Sequence, residues 1–162
     1  MNRVLRIAAI LLIVSANIGC DQLSKAVVRE NLQYHQQVDV IRDNFILIKV
    51  ENTGAFLGLG ENLPVFVKNI ILSLIPSITI LALLLFVFAK TNLSQMTVFG
   101  LCCVVGGGIG NIFDRIAHGS VTDFLHIDLG YVQTGIFNMA DVSIMVGMLV
   151  LLFAFGKGRG AG

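Results

Sequence analysis

Three aspartates lie at or near the ends of long apolar segments in the second half of the chain: Asp114, Asp123 and Asp141. Ionisable side chains within or beside membrane segments are energetically costly, so they are candidates for function. Two carboxyl groups a few ångströms apart share one proton, because the repulsion between two negative charges prevents both groups from ionising at the same pH. The ionised member takes a proton from water, while the protonated member donates to a carbonyl oxygen. These residue types therefore predict an aspartyl peptidase centre.

Spacing alone nominates Asp114 as the partner of Asp141, because each ends an N-x-x-D motif. Asp141 ends the motif FNMAD, and its N-x-x-D spacing recurs in GNIFD, which ends at Asp114. Arg115 follows Asp114 directly, however, and a neighbouring cation favours a permanently ionised carboxylate. Asp123 has apolar neighbours on both sides, VT and FL, which favour a raised pKa. From the residues alone, Asp141 belongs to the pair and its partner is either Asp114 or Asp123.

The composition predicts an integral membrane protein. Hydrophobic residues make up 56% of the chain and charged residues 13%, and the mean hydropathy is +0.85; soluble domains are about 25% charged. With 162 residues and no visible internal repeat, we expect a single domain over residues 1–162. The net charge of +1 provides no basic field, so nucleic acid is not an expected partner.

Four apolar segments are long enough to cross a bilayer as helices, which takes about 20 residues. The predicted spans are residues 4–22, 65–89, 96–114 and 136–156, all bounds being approximate. Continuous apolar runs favour helices, because the strands of a membrane barrel would alternate between apolar and polar residues. The predicted fold class is therefore an α-helical integral membrane protein with four transmembrane helices.

Basic residues indicate the orientation of these spans. If four spans alternate in direction, the cations at their ends lie on one side, the cytoplasm: Arg3, Arg6, Lys90, Lys157 and Arg159. Both termini are then cytoplasmic, and residues 23–64 and 115–135 are extracytoplasmic.

The first of these segments contains the sequence VDVIRDNFILIKV, residues 38–50. Its β-branched and aromatic residues predict one or two strands, and hence a small extracytoplasmic β-sheet between the first and second spans. The triplet NTG at residues 52–54 ends the pattern. Residues 55–59 are apolar, and we expect this loop to approach the lipid.

The first span also has the layout of a lipoprotein export signal, in which two arginines and an apolar run precede Cys20. Removal of such a signal would leave three spans. It would also remove Arg3 and Arg6, the cations that lie on the same side of the membrane as Lys157 and Arg159. Asn17 also occupies a position where such signals favour a leucine-like residue. We therefore expect a retained first span, in which Cys20 is a buried small residue.

Five motifs together resemble the bacterial lipoprotein signal peptidase family, also called signal peptidase II: DQLSK, NTGAF, GNIFDR, VTDF and FNMAD. The resemblance covers nearly the whole chain in size, number of spans and motif order. It implies an aspartic endopeptidase of the bacterial cytoplasmic membrane that cleaves diacylglyceryl-modified prolipoproteins just before the lipidated cysteine. It also implies a site near the outer membrane face, a monomer in contact with membrane lipids, inhibition by globomycin-type cyclic peptides, and no metal or other cofactor.

The resemblance implies that the catalytic pair is Asp123 and Asp141. Further positions match family motifs and are implied to bind substrate or shape the site: Asp21, Lys25, Asn52, Gly54, Asn111, Asp114, Arg115 and Asn138.

Simpler interpretations exist for several of these positions. Asp21 and Lys25 have the i,i+4 spacing of an ion pair at a helix end, and Asp114 with Arg115 could fasten the third span. The NTG triplet is equally typical of a turn. A metal site built from the histidines and aspartates of residues 118–128 is disfavoured, because their spacing does not match H-E-x-x-H and no cysteine accompanies them.

Two other functions compete with the peptidase. A small transporter subunit could use Asp123 and Asp141 as a proton relay, but that interpretation predicts internal repeats, which are not visible. A structural lipoprotein anchored through Cys20 would lack residues 1–19.

Overall fold

The computed structural model describes residues 2–41, 44–55 and 58–158. Four long helices dominate it: α1 at Arg3–Asn31, α2 at Val65–Ala89, α3 at Gln95–His118 and α4 at Met139–Gly158. Each is long and apolar enough to cross a membrane, so the predicted four-helix membrane fold is confirmed. Within α2, a π-helical stretch at Asn69–Leu74 precedes Pro76.

The ends of three helices differ from the predicted bounds. Helix α1 continues beyond residue 22 to Asn31, because Asp21 and Lys25 are completely buried rather than exposed at a helix end. Helix α3 continues beyond residue 114 to His118 and ends at Gly119, whose left-handed φ of 77° is typical of a helix C-cap. Helix α4 begins three residues later than predicted, at Met139. Charged residues lie inside α1 and α3, so a charge does not mark the end of either helix.

A run of glycines places α3 at the centre of the helix bundle. A Cβ atom on Gly106 or Gly110 would collide with α1, and one on Gly107 would collide with α4. A Cβ on Gly108 would collide with α2. Helix α1 therefore approaches α3 closely at Gly106 and Gly110, and glycine permits this because the backbones can approach without side chains between them.

The sheet contains three antiparallel strands in the order β1, β2, β3: β1 at Gln37–Ile41, β2 at Phe45–Asn52 and β3 at Val121–Ile127. The first two strands confirm the prediction for residues 38–50, of which residues 42 and 43 lie outside the described part. The third strand comes from the segment between α3 and α4. The sheet thus joins both interhelical segments and brings Asp123 opposite Val50, two residues before Asn52 in the chain.

Cys20 is exposed, so the prediction that it is buried was wrong. The buried face of α1 contains Ile10, Val14, Asp21 and Lys25. Cys20 lies off this face, because successive helical residues are separated by about 100° around the helix axis. In the loop after β2, Leu59 is 75% exposed, while residues 56 and 57 lie outside the described part.

Candidate active site

Asn138 and Asp141 form a reciprocal cap at the start of α4. The Asn138 Oδ1 atom accepts the Asp141 N–H at 3.0 Å, and the Asp141 Oδ2 atom accepts the Asn138 N–H at 3.2 Å. This arrangement is a capping box, in which residues three apart satisfy each other's free backbone donors. The N-x-x-D spacing therefore fixes the beginning of the helix. It also places the Asp141 carboxylate beside the free backbone N–H groups at the start of the helix.

Asp123 lies in β3 and is only 4% exposed. Its carboxylate accepts hydrogen bonds from the Asn52 amide at 2.9 Å and from the Asn138 amide at 2.6 Å. Loss of hydration on burial raises the pKa of Asp123 from 3.8 to about 6, against the lowering effect of the two amide hydrogen bonds. The charge on Asp141 raises it further. A carboxyl group of this kind holds its proton close to neutral pH.

Asn52 belongs to a turn and to the site at the same time. Its Oδ1 atom accepts the Gly54 N–H at 2.9 Å, so its amide nitrogen must point towards Asp123. A Cβ atom on Gly54 would lie 2.7 Å from the backbone of Gly58, so only glycine fits there. The Gly54 carbonyl accepts a hydrogen bond from Arg115 at 3.1 Å. The NTG triplet therefore forms a turn and also contributes contacts to the candidate site.

Asn111 connects Asp141 to a lysine on α1. The Lys25 ammonium group donates to the Asn111 Oδ1 atom at 3.0 Å, and the Asn111 amide donates to the Asp141 Oδ1 atom at 2.8 Å. Because an ammonium group has only donors, the oxygen of Asn111 must face Lys25. The amide nitrogen then faces Asp141.

These side chains surround a cavity of about 60 Å³, which we call the amide-lined cavity. Both Asp123 and Asp141 line it, together with Arg115. The other predicted residues that line it are Asn52, Asn111 and Asn138. The two aspartates that the resemblance pairs are therefore neighbours, and they share Asn138 as a hydrogen-bond partner.

Asp114 lies elsewhere, in a buried ion-pair cluster of Asp21, Lys25, Arg29 and Asp114. The Lys25 Nζ atom lies 2.8 Å from Asp21 and 3.0 Å from Asp114, and an Arg29 nitrogen lies 2.9 Å from Asp114. The expected pairing of Asp114 with Arg115 is thus replaced by pairing with α1, because adjacent helical residues point in different directions. Asp21 and Lys25 do form the i,i+4 pair, but in the protein interior.

Arg29 is the site-supporting residue that sequence reasoning missed. It follows Lys25 by four residues, as Lys25 follows Asp21, so a helix continued beyond residue 22 would have placed all three on one face. Its Nε atom also donates to the Thr122 hydroxyl at 2.8 Å, next to Asp123. Within the described ranges, no three His, Cys, Asp or Glu side chains come together to hold a metal ion.

Comparisons with known proteins agree with this geometry. The family model described as Signal peptidase (SPase) II matches residues 12–156. The lipoprotein signal peptidase of Desulforapulum autotrophicum is 32% identical over 136 residues, which cover 84% of each chain. That of Wigglesworthia glossinidia brevipalpis is 40% identical over 114 residues, which cover 67% of this chain and 71% of the relative.

A solved structure supports the same assignment. A bacterial membrane enzyme determined by the in meso method at 2.3 Å resolution is similar with a TM-score of 0.83 and 26% identity. The match covers 94% of this chain and 90% of that one. The chain therefore belongs to the signal peptidase II family, and it is a multi-pass peptidase of the bacterial inner membrane that removes signal peptides from lipoproteins.

Proposed function

We propose that the chain is an aspartic endopeptidase in which Asp123 and Asp141 activate water to cleave diacylglyceryl-modified prolipoproteins just before the lipidated cysteine. The observation that supports this most directly is the shared cavity: both carboxylates line it, and both accept a hydrogen bond from Asn138. Asp114, the alternative partner, is occupied by two cations. A carboxylate held between cations stays ionised and is a poor proton donor.

The surroundings of the two aspartates suggest different roles. At the start of α4, the Asp141 carboxylate accepts hydrogen bonds from the backbone N–H of Asn138 and from the Asn111 amide. Asp123 is buried, and its pKa is raised to about 6. Asp141 is therefore the base and Asp123 the acid, an assignment that applies to a pair whose two titrations are coupled.

The reaction then follows general acid–base catalysis. Asp141 takes a proton from water as the water oxygen bonds to the scissile carbonyl carbon, and Asp123 gives its proton to the carbonyl oxygen. In the second step the C–N bond breaks. Asp141 returns its proton to the leaving amine, and Asp123 recovers a proton from the gem-diol. Both carboxyl groups end in their starting states.

Arg115 is placed to bind the substrate backbone. It lines the cavity, and its Nε atom is buried without a hydrogen-bond partner among the described residues. Buried polar groups are normally hydrogen-bonded. A peptide carbonyl group of the bound substrate would satisfy this donor, while the contact of Arg115 with Gly54 holds the guanidinium group in place.

Two grooves reach the aspartate pair, one at Asp141 and one at Asp123. An apolar groove of about 770 Å³ has Asp141 in its lining together with Val142, Met145 and Leu149 of α4. A more polar groove of about 440 Å³ has Asp123 in its lining. We infer that the apolar signal segment lies in the first groove and the residues after the cysteine lie in the second, which places the scissile bond between the carboxylates.

The basic residues at the ends of the helices favour cytoplasmic termini, so the site would lie near the outer face of the membrane. We propose that residues 1–162 act as one domain and as a monomer in contact with membrane lipids. A globomycin-type cyclic peptide would compete with the substrate for the cavity.

The test uses purified protein in detergent and two forms of one prolipoprotein, with and without the diacylglyceryl group. We expect product masses that locate the cut just before the lipidated cysteine, no cleavage of the unmodified form, and no cleavage by Asp141→Asn. Equal cleavage of both forms would contradict the proposed specificity. Cleavage by Asp141→Asn at the wild-type rate would contradict the mechanism.

A further inference from the structure

The Lys25 ammonium group contacts three different acceptors, two through hydrogen bonds and one as an ion pair. These are the Asp21 Oδ2 atom at 2.8 Å, the Asp114 Oδ2 atom at 3.0 Å and the Asn111 Oδ1 atom at 3.0 Å. The side chain of Lys25 is completely buried. The ammonium group therefore joins acceptors on two helices, Asp21 on α1 and Asn111 and Asp114 on α3.

Two of these acceptors contact the backbone immediately before a proposed catalytic aspartate. The other oxygen of the Asp21 carboxylate accepts the Ala140 N–H at 2.9 Å, directly before Asp141. The Asp114 carboxylate accepts the Thr122 N–H at 3.3 Å, directly before Asp123.

The third acceptor, Asn111, contacts the carboxylate of Asp141 itself. Three separate paths therefore lead from one ammonium group to the aspartate pair. Two of them end on the backbone of α4 and β3, the elements on which the two aspartates lie.

We propose that Lys25 is a positioning residue that fixes the separation of Asp123 and Asp141 by holding Asp21 and Asp114 together. This inference rests on the proposed function of the two aspartates. Lys25 joins a carboxylate on α1 to one on α3, and each carboxylate holds a different element. Hydrogen bonds to charged groups are shorter and roughly twice as strong as neutral ones, which suits them to fixing a distance.

The separation matters because it determines how strongly the two carboxyl groups interact. Close carboxyl groups titrate at well-separated apparent pKa values, and the singly protonated pair exists between them. If the pair moves apart, the two values converge and the pH range of activity narrows. A small displacement also reduces the rate, because about 1 Å of misplacement can reduce it about 100-fold.

Other charged groups face the pair and stay unchanged in the test. Arg115 of α3 lies in the amide-lined cavity. Glu51, Glu61 and His126 line the groove that adjoins Asp123. Arg29 remains bound to Asp114.

The test variant is the double substitution Asp21→Asn with Lys25→Met. It removes one buried negative and one buried positive charge, so the interior keeps its net charge, and replacing a buried ion pair by neutral groups is often tolerated. After the Asp21→Asn substitution, the amide oxygen at position 21 can still accept the Ala140 N–H. A second variant, Lys25→Arg, keeps the charge, but its planar guanidinium group does not reproduce three tetrahedral donors.

The control is Lys49→Met. Lys49 also donates to protein oxygens, the carbonyl groups of Arg29 and Leu32 at the end of α1. It does not belong to the ion-pair cluster or the amide-lined cavity. The same type of substitution therefore reports on the general effect of losing a lysine.

We expect kcat of the double variant to fall about 10- to 100-fold with KM within about twofold, since the loss concerns the reacting groups rather than substrate binding. The bell-shaped pH profile of kcat should narrow for the double variant and for Lys25→Arg. It should keep its wild-type width for Lys49→Met.

An unchanged width of the pH profile in folded Lys25→Arg, or in the double variant, would overturn the role of Lys25. Failure of the proposed function would look different, because Asp123→Asn or Asp141→Asn would then retain wild-type cleavage. The two ideas are thus tested by separate variants.

Discussion

The ion-pair cluster and the amide-lined cavity are neighbouring buried groups of carboxylates that differ in what surrounds them. In the cluster, Asp114 lies within 3.0 Å of Lys25 and within 2.9 Å of Arg29. In the cavity, Asp123 and Asp141 receive hydrogen bonds from amide groups. Cations keep a carboxylate ionised, whereas amides hold it in place and leave a proton available at Asp123. The difference separates a structural group from a proposed catalytic one.

The largest effect on stability is expected from Asp114→Ala. This substitution leaves Lys25 and Arg29 without the carboxylate that they share, and an uncompensated buried charge reduces the free energy of unfolding by about 3–5 kcal/mol. Denaturation in detergent would measure this loss. Asp141→Ala is the comparison variant, with a smaller expected loss of about 1–2 kcal/mol, because it removes a helix cap and one amide contact but leaves no buried cation behind. Equal losses for both variants would remove the distinction between the two groups.

The next effect concerns the pH dependence of stability. The pKa of Asp123 is about 6 in the folded protein, above its ordinary value of 3.8. The folded state therefore binds this proton more tightly, and its contribution to stability is lost as the pH rises through about 6. Relative to Asp123→Asn, the wild type should lose about 2 kcal/mol between pH 4.5 and 7.5. A constant difference between the two proteins across this range would contradict the raised pKa.

A smaller effect on rate is expected from Asn52→Ala. The substitution removes one amide donor from the Asp123 carboxylate, and the loss of a buried hydrogen bond to a charged group, about 1–3 kcal/mol, corresponds to a 10- to 100-fold lower kcat. Asn44→Ala is the control, since the Asn44 amide donates to the exposed carbonyl of Asp128. Single-turnover cleavage should be within about twofold of wild type for the control. Equal effects on both variants would mean that the Asn52 amide has no special role.

The smallest effect is expected from Ser120→Ala, which changes neither the ion-pair cluster nor the amide-lined cavity. It removes a 2.6 Å hydrogen bond to Glu51, and we expect a stability loss of about 1 kcal/mol with an unchanged cleavage rate. A tenfold loss of rate would show that the catalytic contacts extend further along the sheet.

The helices could be predicted because length and apolarity alone determine whether a segment can cross a membrane. Their ends could not, because Asp21 and Lys25 are typical of a helix end in sequence and are buried through contacts with α3 and α4. The strands of residues 38–50 followed from composition. Their pairing with β3 depends on contacts between segments distant in the chain.

The aspartate pair could be predicted only in part. Asp141 followed from its motif, but spacing favoured Asp114 as its partner, because the direction of Asp114 towards α1 is a tertiary property that spacing does not contain. Family resemblance favoured Asp123, and the structure places it beside Asp141 in one cavity. Arg29, which neutralises Asp114, could have been found by extending the i,i+4 series of α1.

The cleavage rate of Asp123→Asn and Asp141→Asn, measured with diacylglyceryl-modified prolipoprotein on folded protein, tests the central claim most directly. Each variant removes one carboxyl group and keeps the shape of the side chain. We predict that both lose about 10³-fold in kcat, the scale of general acid–base catalysis, while both remain folded. Cleavage by either folded variant within tenfold of the wild-type rate would contradict the proposal that Asp123 and Asp141 perform the reaction.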